Sequence, residues 1–439
     1  MKRFIIILLF TNFGLLSAQS PSDVALKEGL ILLGKTEYQK AIESFTNAIK
    51  TTPLNEKAYY SRAIAYASLN KYDSAVVDYS KTIELNPKKT EAYINRGSAY
   101  SELKEFSKAI LDYNKAIALN PEIAETYNNR GYLLSLQNMH LDAVKDYEKA
   151  IQLNPKYTKA YTNKAYSYST LGNHKESIEV LDKLIEVQPY FASAYYNRAL
   201  EYKALKDTKA ALVNYDKVVE LEPNDIKVIF ERAELRDELG DDKGAINDYS
   251  KIIQLDNSIA KIYYARAQAH YDIPNYQSVI DDCSSAIQIK NDYWEAYVLR
   301  ANAFDLLNKY EDALKDYSKA IELNPKSFEA FDQRAVARIA KNDVAGALSD
   351  LSKAIAIEPS NISLIEKRAI LRAATKDSNG AIEDYTSILI LDDKNTKAYL
   401  ARAEQYIAVG KREQACLDYK KAEELGSGTA ISKRMYHCK

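Results

Sequence analysis

The chain has 439 residues, 46% of them hydrophobic and 28% charged, with a formal net charge of −1. That balance, with no basic run, argues against a surface built to neutralise nucleic-acid phosphates. Tyrosine is over-used, at 35 residues, and the places it recurs explain most of the excess.

The first residues stand apart. Lys2 and Arg3 form a charged start, Phe4 to Leu16 an apolar stretch, and Ser17-Ala18 a small-residue exit. This pattern predicts a secretory signal over residues 1–18, cleaved after Ala18, because the apolar stretch is too short for a comfortable membrane span. The expected product is exported, periplasmic or secreted, with no spanning segment left after cleavage. No cysteine follows the cleavage site, so a lipoprotein anchor is not expected.

From Ser22 the sequence repeats. Pro53, Pro87, Pro121, Pro155, Pro189 and Pro223 lie 34 residues apart, and Pro325 and Pro359 resume the same phase. Twelve units of 34 cover residues 22–429, and positions are numbered below from Ser22 as position one. A period of this size signals stacked helical pairs, not one closed core. In the unit Thr90 to Ile123, Tyr93, Gly97 and Tyr100 share one face of a first helix. After a break at Lys104-Glu105, Phe106, Ala109, Ile110, Tyr113, Ala116 and Ile117 form the apolar face of a second. Asn120-Pro121 ends it, since proline lacks an amide donor and disfavours helix in the residue before it.

Position eight never exceeds alanine (Gly29, Ala63, Gly97, Gly131, Ala165), and position twenty is nearly as strict (Ala41, Ala75, Ala109, Ala143, Ser177). Small residues there let the paired helices approach closely, with rings at positions four, eleven and twenty-four filling the surrounding space. In period, small positions, aromatic positions and closing proline the array resembles the tetratricopeptide repeat family, as an exported bacterial-type member. The resemblance implies an all-α, right-handed superhelical solenoid of about twelve helix-turn-helix repeats. One departure recurs: position four, often tryptophan in that family, is usually tyrosine here.

Charge repeats too. Position seven is arginine in ten units, including Arg62, Arg96, Arg300 and Arg402, and position twenty-three is aspartate in nine, including Asp78, Asp112, Asp316 and Asp418. Both are missing together where Glu28 accompanies Ser44 and where Lys164 accompanies Val180. This predicts a ladder of arginine–aspartate pairs within units, against the alternative of independent solvated charges.

The resemblance places partner segments on the concave face, lined by positions two, six, nine and thirteen, which a helical wheel sets opposite the buried positions. Position six is Asn95, Asn129, Asn163 and Asn197 in four consecutive units. A row of amides offers donors and acceptors to the main chain of an extended peptide, with Tyr132 and Tyr166 beside it as platforms. It is similar to the asparagine ladder of the O-linked N-acetylglucosamine transferases. The simpler alternative is an exposed, helix-tolerated residue. In the seventh unit Glu231, Glu234 and Glu238 run along one face, either a dock for a basic partner or a plain solvated face. The clamp by which some family members hold the chaperone C-terminal carboxylate is missing: position five reads Tyr60, Ile94 and Asn128 in place of its lysine.

Near the end, Cys416 and Cys438 each lie eleven residues from Ser427, the centre of the turn Gly426-Ser427-Gly428. Antiparallel helices leaving that turn would bring both to one height, predicting a disulfide that pins residues 430–439 as a short cap or tail. Cys283, at a tyrosine position, reads as a buried free thiol.

No constellation of catalytic chemistry rises above the repeat. Gly29 to Thr36 fits GxxxxGK[ST], but Leu30 to Leu33 continue a helix whose amides are committed, so no nucleotide is expected. His140, His174, His270 and His437 do not converge on metal-site spacing. The reading is a non-enzymatic interaction scaffold without cofactor or metal, its partners proteins or peptides. The alternative is an accessory or assembly factor of a cell-envelope secretion or cell-wall complex.

Overall fold

The computed structural model describes residues 20–438, and all regular structure among them is helical, in 25 α-helices. The predicted leader, residues 1–18, lies outside the described residues. Contacts divide the chain into two units, Met1–Pro223 and Asn224–Lys439.

In the first unit α1 (Pro21–Gly34) pairs with α2 (Tyr38–Thr51), α3 (Glu56–Ser68) with α4 (Tyr72–Leu85), and α5 (Thr90–Glu102) with α6 (Phe106–Leu119). There follow α7 (Ala124–Leu136) with α8 (His140–Leu153), α9 (Thr158–Thr170) with α10 (His174–Val187), and α11 (Ala192–Ala204) with α12 (Thr208–Leu221). In the second unit the pairs are α13 (Ile226–Glu238) with α14 (Asp242–Leu255), α15 (Ala260–Asp272) with α16 (Tyr276–Ile289), and α17 (Trp294–Leu306) with α18 (Tyr310–Leu323). Then come α19 (Phe328–Ala340) with α20 (Val344–Ile357), α21 (Ile362–Ala374) with α22 (Ser378–Leu391), α23 (Thr396–Ala408) with α24 (Arg412–Glu424), and a single α25 (Gly428–His437). Among the described residues no helix is long and apolar enough to cross a membrane.

Each pair closes through a left-handed residue at position fifteen: Asn70, Lys104, Asn138 and Asn308 have φ between 58° and 62°, and Gly172, Gly240 and Gly410 have φ 75°. Glycine and asparagine accept that conformation most readily, so their recurrence there has a backbone cause. Close approach follows from the small positions. A Cβ added to Gly97 would lie 2.9 Å from the Tyr113 ring, and Ala109 and Ala116 are fully buried beside it. The tyrosine at position four has its own reason: the Tyr93, Tyr161 and Tyr195 hydroxyls donate to the carbonyls of Pro87, Pro155 and Pro189, at 3.4, 3.3 and 3.1 Å. A phenol here ties one repeat to the closing proline of the one before.

The charge ladder is present and does more than join two helices. Arg96 donates through Nε and Nη2 to both Asp112 oxygens, at 2.8 and 2.7 Å, and through Nη1 to Ser80 of the preceding repeat, at 3.0 Å. Arg300 holds Asp316 and Ser284 in the same way, and Arg334 holds Asp350 and Ser318. Position seven therefore staples three helices across a repeat boundary. Rings flank the cation: the Arg96 guanidinium lies 5.8 Å from the centroids of both Tyr93 and Tyr100. Where the pair is missing, Lys164 turns to Glu148 of the preceding repeat at 2.9 Å, and Val180 is buried in the apolar core.

Three repeats vary this theme. Arg236, Arg338 and Arg372 replace the ring at position eleven, and each forms an ion pair with the same aspartate as position seven: Asp248 at 3.1, Asp350 at 2.7 and Asp384 at 3.0 Å. Each also approaches a helix-capping aspartate, Asp241, Asp343 or Asp377, which accepts from the amide of Gly244, Gly346 or Gly380.

Cys416 and Cys438 are bonded, with Cα atoms 5.8 Å apart. The bond fastens the end of α25 to α24, and Arg434 adds an ion pair to Glu423 at 2.6 Å. The capping helix begins at Gly428, two residues before the expected boundary, because Ser427 caps the amide of Ala430. Cys283 is free and fully buried, and burial pushes its thiol pKa far up. The GxxxxGK[ST] segment is helix α1 as far as Gly34.

Candidate protein-binding face

Consecutive first helices lie side by side: α3 touches α5, α5 touches α7, and α7 touches α9. Their positions six and nine form one face in the first unit, and Ser98 at position nine also meets the Tyr113 hydroxyl of α6 at 3.1 Å. Asn95, Asn129, Asn163 and Asn197 all lie on it, half-buried. Tyr132 and Tyr166, at position nine of adjoining repeats, are 47% and 66% exposed. Rings with this much apolar surface in water are the strongest anchors available to a partner here.

The amides are not simply free. Asn95 Nδ2 donates to Tyr60 Oη at 3.0 Å, and Asn163 Nδ2 donates to Asn128 Oδ1 at 3.1 Å. Asn128 Nδ2 reaches Asn129 Oδ1 at 3.4 Å. Position six thus reaches back to position five of the repeat before it, a link that the single-helix wheel does not show. An amide has two donor hydrogens and a carbonyl acceptor, so one such bond leaves capacity for a peptide main chain.

The acidic residues of the second unit arrange themselves differently from their sequence order. Glu231 has Lys227 at 3.9 Å on its own helix, Glu234 has Lys261 of α15 at 3.8 Å, and Glu238 is exposed. The carboxylates that converge are Asp237, Asp242 and Asp272, within 4.8 Å of one another. Burial first, and then Asp272, Asp242 and Glu234, raise the Asp237 carboxyl above its ordinary range. All three side chains lie outside the predicted patch, and Asp242 and Asp272 come from α14 and α15, brought to α13 only by packing.

A further feature escaped the sequence reading. Val336, Ile339, Ile370 and Leu371 line an apolar cleft of about 400 Å³ on α19 and α21. At its edge Lys367, in position six, pairs with Asp332, in position five of the preceding repeat, at 2.6 Å. The signal was present as Val336 and Ile370, β-branched apolar residues at position nine of two adjoining repeats.

These observations define a class: an all-helical repeat protein whose variable residues sit on the open face of its first helices. Over residues 56–225 and 294–327 the chain is made of tetratricopeptide repeats. Two models of the tetratricopeptide repeat match it, one over residues 56–89, 90–123, 124–157, 192–225 and 294–327 and the other over 158–191. Among solved structures it is similar to the C-terminal part of a TPR repeat-containing protein from Cytophaga hutchinsonii, at 22% identity over 55% of this chain and 98% of that one, with a TM-score of 0.50. That likeness is one of fold. A tetratricopeptide repeat protein from Parabacteroides merdae gives 22% identity over 57% and 99%, TM-score 0.43, and yeast Tom70 17% over 95% and 94%, TM-score 0.36. No curated protein matches the sequence. Tetratricopeptide repeat proteins are in general interaction scaffolds and typically non-enzymatic.

Proposed function

We infer that this chain is a non-enzymatic scaffold that binds extended segments of partner proteins along the open face of α5, α7, α9 and α11. One observation carries the reading: four asparagines recur at one position of four adjoining helices, with the exposed Tyr132 and Tyr166 between them. Amides at repeat spacing suit a main chain, whatever its side chains, and the rings supply the apolar anchoring that amides lack. Residues Glu231, Glu234 and Glu238 are a second contact for basic stretches of a partner.

Lys2, Arg3 and the apolar residues to Leu16 support export, to the periplasm or beyond. The bonded Cys416–Cys438 suits an oxidising compartment. Fractionation with an antibody to the chain tests this; recovery in the cytosol with residues 1–18 intact would refute it.

For binding, capture from envelope fractions is compared between the native protein and the combination Asn129→Ala, Asn163→Ala, Tyr132→Ala and Tyr166→Ala. The expected result is loss of specific partners with the helical spectrum unchanged. Undiminished recovery would sink the reading. Co-purification of a secretion or cell-wall machine would favour the role of envelope assembly factor.

A further inference from the structure

The two exposed rings of the candidate face sit in an uncharged strip. From position five to position thirteen the only charged residues of α7 and α9 are Arg130 and Lys164. Both turn to α8, Arg130 to Asp146 at 2.6 Å and Lys164 to Glu148 at 2.9 Å. Tyr132, 47% exposed, and Tyr166, 66% exposed, occupy position nine of the two helices, with the half-buried Asn129 and Asn163 one turn before them. A charged segment lying here would give up water without meeting a counter-charge, so the strip complements an uncharged one.

We propose that the occupant is a proline-rich segment in the polyproline II conformation, crossing α7 and α9 with a proline ring on each tyrosine. This rests on the reading of the face as a site for extended segments and names their class. Period decides first. Helices in contact, as α7 and α9 are, stand about 8–10 Å apart, and polyproline II repeats its side-chain direction every three residues, about 9 Å. Every third residue therefore returns to the same place on the next repeat. A β-strand returns a side chain to one face every second residue, about 7 Å, and falls out of step. An α-helix matches at about 10 Å over seven residues, but its carbonyls are committed along its own axis, which leaves the amides of the face nothing to bond.

Hydrogen bonding selects the same ligand. Proline has no amide hydrogen, so such a segment offers its main chain as carbonyl acceptors. The strip is rich in donors: Asn128 Oδ1 already accepts from Asn163, and Asn129 Oδ1 from Asn128, while Asn163 Nδ2 keeps a second hydrogen. Aromatic-lined grooves suit polyproline II, whose preset conformation limits the entropy lost on binding.

Fluorescence anisotropy of the full-length protein with labelled, uncharged peptides of about twelve residues, four turns of polyproline II, tests this. One peptide is proline alone, one alternates glycine and serine, and one alternates threonine and glutamine. The expected result is binding of the proline peptide at least about tenfold tighter than either control, weakened about tenfold by Tyr132→Ala or Tyr166→Ala and kept by Tyr166→Trp. Both rings are exposed, so the far-ultraviolet spectrum should not change. A proline peptide no tighter than the controls, or one that binds both alanine variants as well as the native protein, would overturn the proposal. Should the threonine–glutamine peptide be the one that depends on these rings, the proline assignment fails alone and the peptide-binding face stands. Undiminished capture by the fourfold variant would remove both.

Discussion

At the scale of single residues, the arginine at position seven shows how one side chain serves two levels of structure. Arg300 is 19% and Asp316 6% exposed, so removing one partner leaves a poorly hydrated charge. Asp316→Ala should destabilise the second unit by about 3 kcal/mol in denaturant unfolding. The double change Arg300→Met with Asp316→Val, which imitates the apolar solution at Val180, should cost well under half of that. Equal losses from the two would mean that the ion pair itself, not the stranded charge, carries the energy.

Asp237 gives a second prediction at this scale. Its carboxyl is raised in the folded state, so the native protein binds that proton more tightly than the unfolded chain. This contribution therefore improves as pH falls from neutrality toward the ordinary carboxylate range, and its cost is full above the raised value. Asp237→Asn should melt higher than wild type at pH 7, with the gap closing as pH falls through that range. A gap that is constant with pH would show that Asp237 is not the group responsible.

At the scale of the element, the pair α5–α6 was almost wholly legible. Spacing placed Tyr93, Gly97, Ala109 and Tyr113 on facing stripes, because helical periodicity fixes which side chains share a side. The close contact is testable at Gly97, where any Cβ already meets the Tyr113 ring. Gly97→Val should destabilise by about 2–3 kcal/mol through overpacking, measured by the shift of the unfolding midpoint. What the element alone did not reveal was the third partner of each arginine, such as Ser80 for Arg96. That serine belongs to the preceding repeat, and the conspicuous arginine–aspartate correlation accounts for the pattern without it. The module of Arg338, Asp343, Gly346 and Asp350 was visible as a recurring spacing in three repeats, but its meaning required the shared carboxylate.

At the scale of the whole molecule, each contact unit holds six complete helix pairs and its own buried clusters. Stability in such arrays is close to a sum of repeat and neighbour terms. Residues 20–223 and residues 224–438, produced separately, should each give a helical spectrum and a cooperative melt. A half that stays unfolded would show that its repeats rely on the other.

By itself the sequence determined the helix pairs, their count and their close-packed positions, because a 34-residue period with alanine, glycine and tyrosine in fixed places admits few other packings. It also placed Asn95, Asn129, Asn163 and Asn197 on one face, which periodicity alone dictates. Tertiary structure decided what those groups touch: Asn95 turns to Tyr60, and Asp237 gathers Asp242 and Asp272 in place of the neighbouring glutamates. The physical reason is one of range. A helix fixes the direction of a side chain within a few residues, whereas its partners come from other helices, up to 35 residues away in the chain, and only helix packing brings them within reach.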